Sequence, residues 1–215
     1  MSDFKGRFIL VCFLVLLFCG WAWLTFSGAL TAFDSQGLLL FRDEALAPIG
    51  DKGLQDLMVL VTHAGDTITL ILLSLMALGW LYWRGDRAVC LYGALSIAGL
   101  FLLNPILKTL FGRARPDIVD HLVHASSNSF PSGHALRAAG IYFLLYFLLV
   151  NRLPVKINQT LFFTVSVLAI STSISRVYLG VHWPSDIIAS WLLATIWVVA
   201  WHQKLTTPNS GVNKS

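Results

Sequence analysis

Apolar residues along this chain come in blocks rather than alternating with polar ones. Nearly continuous apolar runs cover residues 8–26, 67–83, 88–107, 135–150, 161–174 and 187–201. Crossing the hydrocarbon core of a bilayer takes about 20 mostly apolar residues. The shorter runs reach that length once flanking polar residues that sustain a helix are included. The pattern predicts an all-α fold, an integral-membrane bundle of six transmembrane helices forming one domain over residues 1–203. Between the first and second spans, residues 34–65 hold apolar clusters split by Gly, Pro and charges. That stretch is too broken to span and predicts one or two short helices in the outer interface. Residues 204–215 are polar and contain Pro and Gly, which predicts a disordered tail.

Composition agrees with the blocks. The 215-residue chain is 56% hydrophobic and 12% charged, with a mean hydropathy of +0.72. Soluble globular domains carry about 25% charged residues, so a soluble protein is excluded. The first run follows Lys5 and Arg7 as a signal peptide would, but it is longer than the usual 7–15 residues of such a segment. It reads as an uncleaved first helix. Cys12, Cys19 and Cys90 lie within or beside apolar runs without metal-ligand spacing. An odd number so placed predicts packing residues, not a disulfide framework or a zinc site.

The net charge of +4 says less than where the cations fall. Lys5 and Arg7, Arg84 and Arg87, Arg152 and Lys156, and Lys204 and Lys214 all fall on one side of a six-span arrangement. The positive-inside rule makes that side, with both termini, cytoplasmic. Lys108, Arg113 and Arg115 lie on the opposite side, where the rule expects few cations. An anion to be bound there is the obvious reason for them.

Three polar groupings sit at outer ends of the predicted spans. In "KTLFGRARPD", Lys108 and Arg115 are seven residues apart, on one face of any helical continuation, and Pro116 disfavours helix at Arg115. Arg supplies a planar fork for phosphate oxygens and Lys a point charge. In "PSGHALRAAG", Pro131 suits the first turn of a helix. The backbone N–H groups of Ser132, Gly133 and His134 would then be donors at the positive end of a helix dipole, a ready anion site. In "SRVYLGVHWPSD", Arg176 ends one helix, Gly180 makes a turn to His182, and Pro184 opens the next. Asp186 in its first turn is near enough to hold one ring nitrogen of His182, leaving the other free to react. Arg137, one turn after His134, faces the same side. His63 and Asp66 read as loop or cap residues.

Taken in order, K-x6-RP (Lys108, Arg115, Pro116), PSGH (Pro131 to His134) and SR-x5-H-x3-D (Ser175, Arg176, His182, Asp186) resemble the three motifs of the type-2 phosphatidic acid phosphatase superfamily of membrane lipid phosphatases. All three are complete, and the six-helix layout extends the likeness over most of the chain. The resemblance implies that His182 attacks phosphorus and forms a phosphohistidine, oriented by Asp186, and that His134 protonates the leaving oxygen. It implies that Lys108, Arg115, Ser132, Gly133 and Arg176 hold the phosphoryl oxygens. No metal or other cofactor is required. A divalent ion on Asp117, Asp120, His121 and His124 is the rival scheme.

The expected partners are a lipid substrate and the bilayer, not nucleic acid. Undecaprenyl diphosphate, phosphatidylglycerol phosphate and phosphatidic acid are the expected substrates, dephosphorylated at the outer face of a bacterial inner membrane. A lipid phosphotransferase would use the same site with another acceptor in place of water. A non-enzymatic transporter is disfavoured because no internal repeat is visible.

Overall fold

The computed structural model describes residues 2–206. It comprises α1 (Ser2–Phe26), α2 (Thr31–Leu39), α3 (Lys52–His63), α4 (Thr67–Trp83), α5 (Arg87–Phe111), α6 (Gly133–Leu149), α7 (Val155–Tyr178) and α8 (Pro184–Thr206). One 3-10 turn, Val150–Arg152, joins α6 to α7. Among the described residues no named strand occurs. Helices α1, α5, α6, α7 and α8 are each long and apolar enough to cross a membrane. Helix α4 qualifies only together with α3, to which it is joined at a 46° bend. Its 17 residues extend about 26 Å at 1.5 Å per residue, short of a hydrocarbon core of about 30 Å. The expected interfacial segment forms the two short helices α2 and α3.

The helices outrun the apolar runs at their ends because polar residues continue the hydrogen-bonded ladder. At the C-terminus this shortens the expected tail: Lys204 to Thr206 belong to α8, and Leu205 is fully buried. The rest of that tail, 207–215, lies outside the described residues.

Helix α6 is the axis of the bundle. Its apolar window is 61% buried, against 17–39% for the other spans, and it packs against α4, α5, α7 and α8. Ala138, Ala139 and Gly140 keep its surface low, so neighbouring backbones approach closely. A methyl group at Gly140 would collide with Leu100 of α5. Phe8, Ile9, Leu16 and Trp23 of α1, Leu72 and Met76 of α4, and Phe163 and Ile170 of α7 are exposed. That apolar perimeter suits acyl chains, whereas in water a patch of this extent would drive association.

At one end of the bundle the linkers are tied together. Arg152 Nε lies 2.7 Å from Asp86 Oδ2, and Asn151 Nδ2 donates to the Thr206 carbonyl over 2.8 Å. The opposite end carries the residue 113–132 segment, the α7–α8 turn, and α2 and α3. It holds the polar groupings.

Candidate active site

Three segments at helix ends build the site. Helix α5 stops at Gly112, whose φ of +62° is the left-handed conformation that glycine adopts without penalty; its N–H returns to the Lys108 carbonyl over 3.0 Å. The helix therefore ends before Pro116, and an extended segment, not a further helical turn, carries Arg115 to the site. Lys108, in the last turn, donates to Ser127 Oγ (3.0 Å) and to the Asn128 carbonyl.

Helix α6 starts two residues later than the sequence suggested. Ser132 is its N-cap, with φ −68° and ψ 118°, so Pro131 lies outside the first turn. A cap residue needs non-helical dihedrals, and this displaces the proline. Ser132 is fully buried beneath the cavity. Its hydroxyl accepts from Ala135 N, its N–H faces the Asp186 carbonyl at 3.5 Å, and its own carbonyl accepts from Ser190 Oγ at 3.1 Å. The free amides at this helix start begin at Gly133.

The α7–α8 turn is set by Gly180 (φ +75°), where a Cβ would stand 2.8 Å from the Asp120 carbonyl and 2.9 Å from Arg42 Nη2. Trp183 precedes α8, and Asp186, three residues on, reaches back to accept its N–H at 3.0 Å. This is half of a capping box. The same oxygen of Asp186 accepts from Ser129 Oγ and stands 3.3 Å from His182 Nδ1. The other oxygen is 2.5 Å from Arg113 Nη1. Asp186 is thus fixed from three sides, and an Nδ1–H on His182 leaves Nε2 unprotonated, an acceptor facing the basic cluster. That nitrogen is 3.3 Å from Arg115 Nη1. Arg115 also donates to the carbonyls of Val181 (2.5 Å) and Ser127 (2.7 Å).

These groups surround a cavity of about 670 Å³. Lys108, Arg115, Arg137, Arg176, Gly133, His134 and His182 line it, and none of its lining residues is acidic. His182 is 1% exposed. Burial, then the charges of Arg115 and Arg176, depresses its pKa well below 6.5, so the imidazole is neutral near pH 7. Burial also lowers the Arg115 pKa, but a guanidinium stays charged at neutral pH.

The sequence-predicted residues therefore meet, with Ser132 and Asp186 behind the cavity wall. Two partners were missed. Asp66, read as a cap, stands at the N-cap position of α4 without capping it. Its carboxylate instead lies 2.8 Å from His134 Nε2 and 2.6 Å from His63 Nδ1. Arg113, absent from the motif residues, bridges Asp186 to Asp34 of α2, at 2.6 Å from Asp34 Oδ2. The additional arginine of "GRARP", beyond the one the motif uses, was the available signal for it. The rival metal ligands do not converge: among the described residues no three His, Cys, Asp or Glu side chains form such a group. His121 Nε2 is within 2.7 Å of the Pro116 carbonyl, and His124 lines the cavity.

Comparison with known proteins gives the family and the fold. The PAP2 superfamily model covers residues 87–209. Phosphatidylglycerophosphatase B of Bacillus subtilis (strain 168) is 34% identical over 165 residues, spanning 72% of this chain and 78% of its own. Undecaprenyl-diphosphatase BcrC of the same organism is 30% identical over 151 residues, 66% of this chain and 70% of its own. The crystal structure of a transmembrane PAP2 type phosphatidylglycerolphosphate phosphatase from Bacillus subtilis superposes with a TM-score of 0.80 at 30% identity, covering 90% of this chain and 94% of that one.

Proposed function

The chain belongs to the PAP2 superfamily, and from that premise we propose that it removes phosphate from a lipid phosphate or diphosphate by way of a phosphohistidine. It is a phosphoric ester hydrolase of lipid substrates, embedded in the membrane through several apolar helices. The observation that carries the mechanism is the buried His182–Asp186 pair opening onto a cavity walled by four cations and no carboxylate.

The lone pair of His182 Nε2 attacks phosphorus, and the P–O bond to the leaving group breaks with its electrons going to that oxygen. Asp186 accepts from Nδ1–H and stabilises the positive charge that develops on the ring. Lys108, Arg115, Arg176 and the Gly133 N–H face the three equatorial oxygens and stabilise their charge in the transition state. Before a phosphate takes their place, the acceptors on Arg115 include the Val181 and Ser127 carbonyls and His182 Nε2, so substrate binding re-aims its fork and frees the nucleophile's lone pair. His134 gives a proton to the leaving oxygen. It then takes one from the water that attacks the phosphohistidine, which returns both histidines to their starting states. Asp66, bonded to His134, stabilises the protonated form and fixes the ring, a positioning role.

The basic end of the bundle marks the cytoplasmic side, which supports a cavity at the outer face of a bacterial inner membrane. A lipid carrier or phospholipid processed there fits the substrates for which the relatives are named, undecaprenyl diphosphate and phosphatidylglycerol phosphate.

The test is phosphate release in detergent from undecaprenyl diphosphate, phosphatidylglycerol phosphate and phosphatidic acid. The expected result is turnover that persists in chelator, is blocked by vanadate, and disappears in a folded His182→Ala protein. Turnover lost in chelator and restored by magnesium would overturn the mechanism. Product formation that depends on an added lipid alcohol would assign the chain to phosphotransfer.

A further inference from the structure

The mechanism leaves one cation on the cavity wall without a task. Lys108, Arg115 and Arg176 each donate to an oxygen of the protein: Lys108 to Ser127 and Asn128, Arg115 to Ser127 and Val181, Arg176 to Thr62 Oγ1 at 2.7 Å. Among the described residues Arg137 has no such acceptor. Its guanidinium sits 6.0 Å from the centre of the Phe101 ring, and its buried Nε has no hydrogen-bond partner. The acid whose field reaches it, Asp66, is already held by His63 and His134.

Beside it stands a second unpartnered donor. Asn104 of α5 lines the same cavity and is 3% exposed, yet its Nδ2 bonds to nothing among the described residues. A buried amide left unpaired costs free energy comparable to a lost hydrogen bond, so a ligand oxygen is the expected acceptor. Both groups converge on the start of α6. A Cβ placed on Gly133 would be 2.8 Å from Asn104 Oδ1 and 3.3 and 3.5 Å from Arg137 Nη1 and Nη2. The glycine is there for space, and the space is shared with the amide that faces the reacting phosphoryl group.

Charge points the same way. A phosphate monoester brings a charge of about −2 at most, against four cations and no acid on the wall. Such an excess in a half-enclosed cavity favours a more highly charged anion. Resting on the lipid phosphatase reading, we propose that Arg137 and Asn104 form a second phosphate subsite, which holds a further phosphate group of the same lipid headgroup next to the one being removed. The planar fork of Arg137 and the Asn104 amide share the two non-bridging oxygens of that group. That group is either the second phosphoryl of a lipid diphosphate or the phosphodiester of a glycerol-spaced headgroup. The close approach of Arg137 to Gly133 suits the shorter diphosphate.

Three lipids with one diacylglycerol tail test this: diacylglycerol diphosphate, phosphatidylglycerol phosphate and phosphatidic acid. Arg137→Gln should lower kcat/KM on diacylglycerol diphosphate about 10- to 100-fold more than on phosphatidic acid, the range for hydrogen bonds to a charged group. Selective loss on phosphatidylglycerol phosphate would support the subsite and assign it to the phosphodiester. Equal losses on all three lipids, or no loss on any, overturn the subsite while the phosphatase reading stands. A wild-type protein inert on all three and on undecaprenyl diphosphate removes that reading and the subsite with it. Should Arg137→Gln not fold, Asn104→Leu and product-like inhibitors serve. Pyrophosphate should inhibit phosphatidic acid turnover more strongly than orthophosphate in the wild type, and the gap should close in Asn104→Leu. An unchanged gap counts against the proposal.

Discussion

Asp66 shows what single residues do in this protein. Its sequence context, "HAGD", reads as an ordinary helix start, and no local rule says that its carboxylate will serve a histidine 68 positions away. Partner choice of that kind is decided by the packing of α4 against α6, not by spacing. Gly65 permits it: a methyl group there would be 2.6 Å from Thr172 Cγ2 and 3.3 Å from His134 Cβ. If Asp66 holds His134 for proton delivery, its loss should matter only where the leaving group needs a proton. Asp66→Asn should slow lipid phosphate turnover on the order of 10-fold and slow hydrolysis of 4-nitrophenyl phosphate, whose leaving oxygen is already stable, far less. Equal slowing of both would reduce Asp66 to a structural residue.

His182 makes a prediction about stability as well. Burial and the neighbouring cations hold its folded-state pKa well below 6.5, while an unfolded chain takes up the proton near pH 6.5. Above that pH both states are neutral and the residue contributes no pH dependence. Below it only the unfolded state gains a proton, so stability falls as pH drops, by up to about 1.4 kcal/mol per pH unit. Thermal unfolding in detergent between pH 8 and 5 should show this decline, and His182→Gln should flatten it. Parallel curves for the two proteins would assign the decline to a different titrating group.

At the scale of elements, the spans were readable because six apolar blocks have few alternative uses, and the motifs placed Lys108, Arg115, His134, Arg176 and His182 at one end. Their precise ends were less readable. Gly112 stops α5 before Pro116 does, and Ser132 takes the cap, which leaves Pro131 outside the helix. Both outcomes depend on backbone dihedrals that several residues nearby could have accommodated. The role of α2 was invisible, since Asp34 acts on α8 and not on its own helix. It accepts from Ser185 N (2.8 Å) and Ser185 Oγ (2.7 Å) and pairs with Arg113. An acid from one helix thus satisfies the first turn of another, where the dipole favours negative charge. Removing one member of a buried ion pair costs about 3–5 kcal/mol. Asp34→Ala should therefore lower thermal stability by an amount of that order and reduce turnover through Arg113 and Asp186. Replacing Gln36, exposed on the same helix, should do neither.

For the whole molecule, the gathering of basic linkers at one end and of the cavity at the other predicts an orientation. In a background with Cys12, Cys19 and Cys90 replaced, a cysteine at exposed Ser126 should react with an impermeant maleimide added outside intact cells. One at exposed Arg84 should react only after the membrane is opened. The reverse pattern would place the chemistry on the cytoplasmic side and exclude an externally released lipid carrier as substrate.

The tether on Ser185 has a temporal corollary. Trp21 of α1 donates to its carbonyl over 3.0 Å, and Asp34 of α2 holds its amide and hydroxyl. Helices α1 and α2 are therefore made before the segment they hold, and the nucleophile is not aligned until α8 docks. Nascent chains arrested before α8 lack Asp186 and are expected to be inert, so hydrolytic power switches on only once α8 is in place.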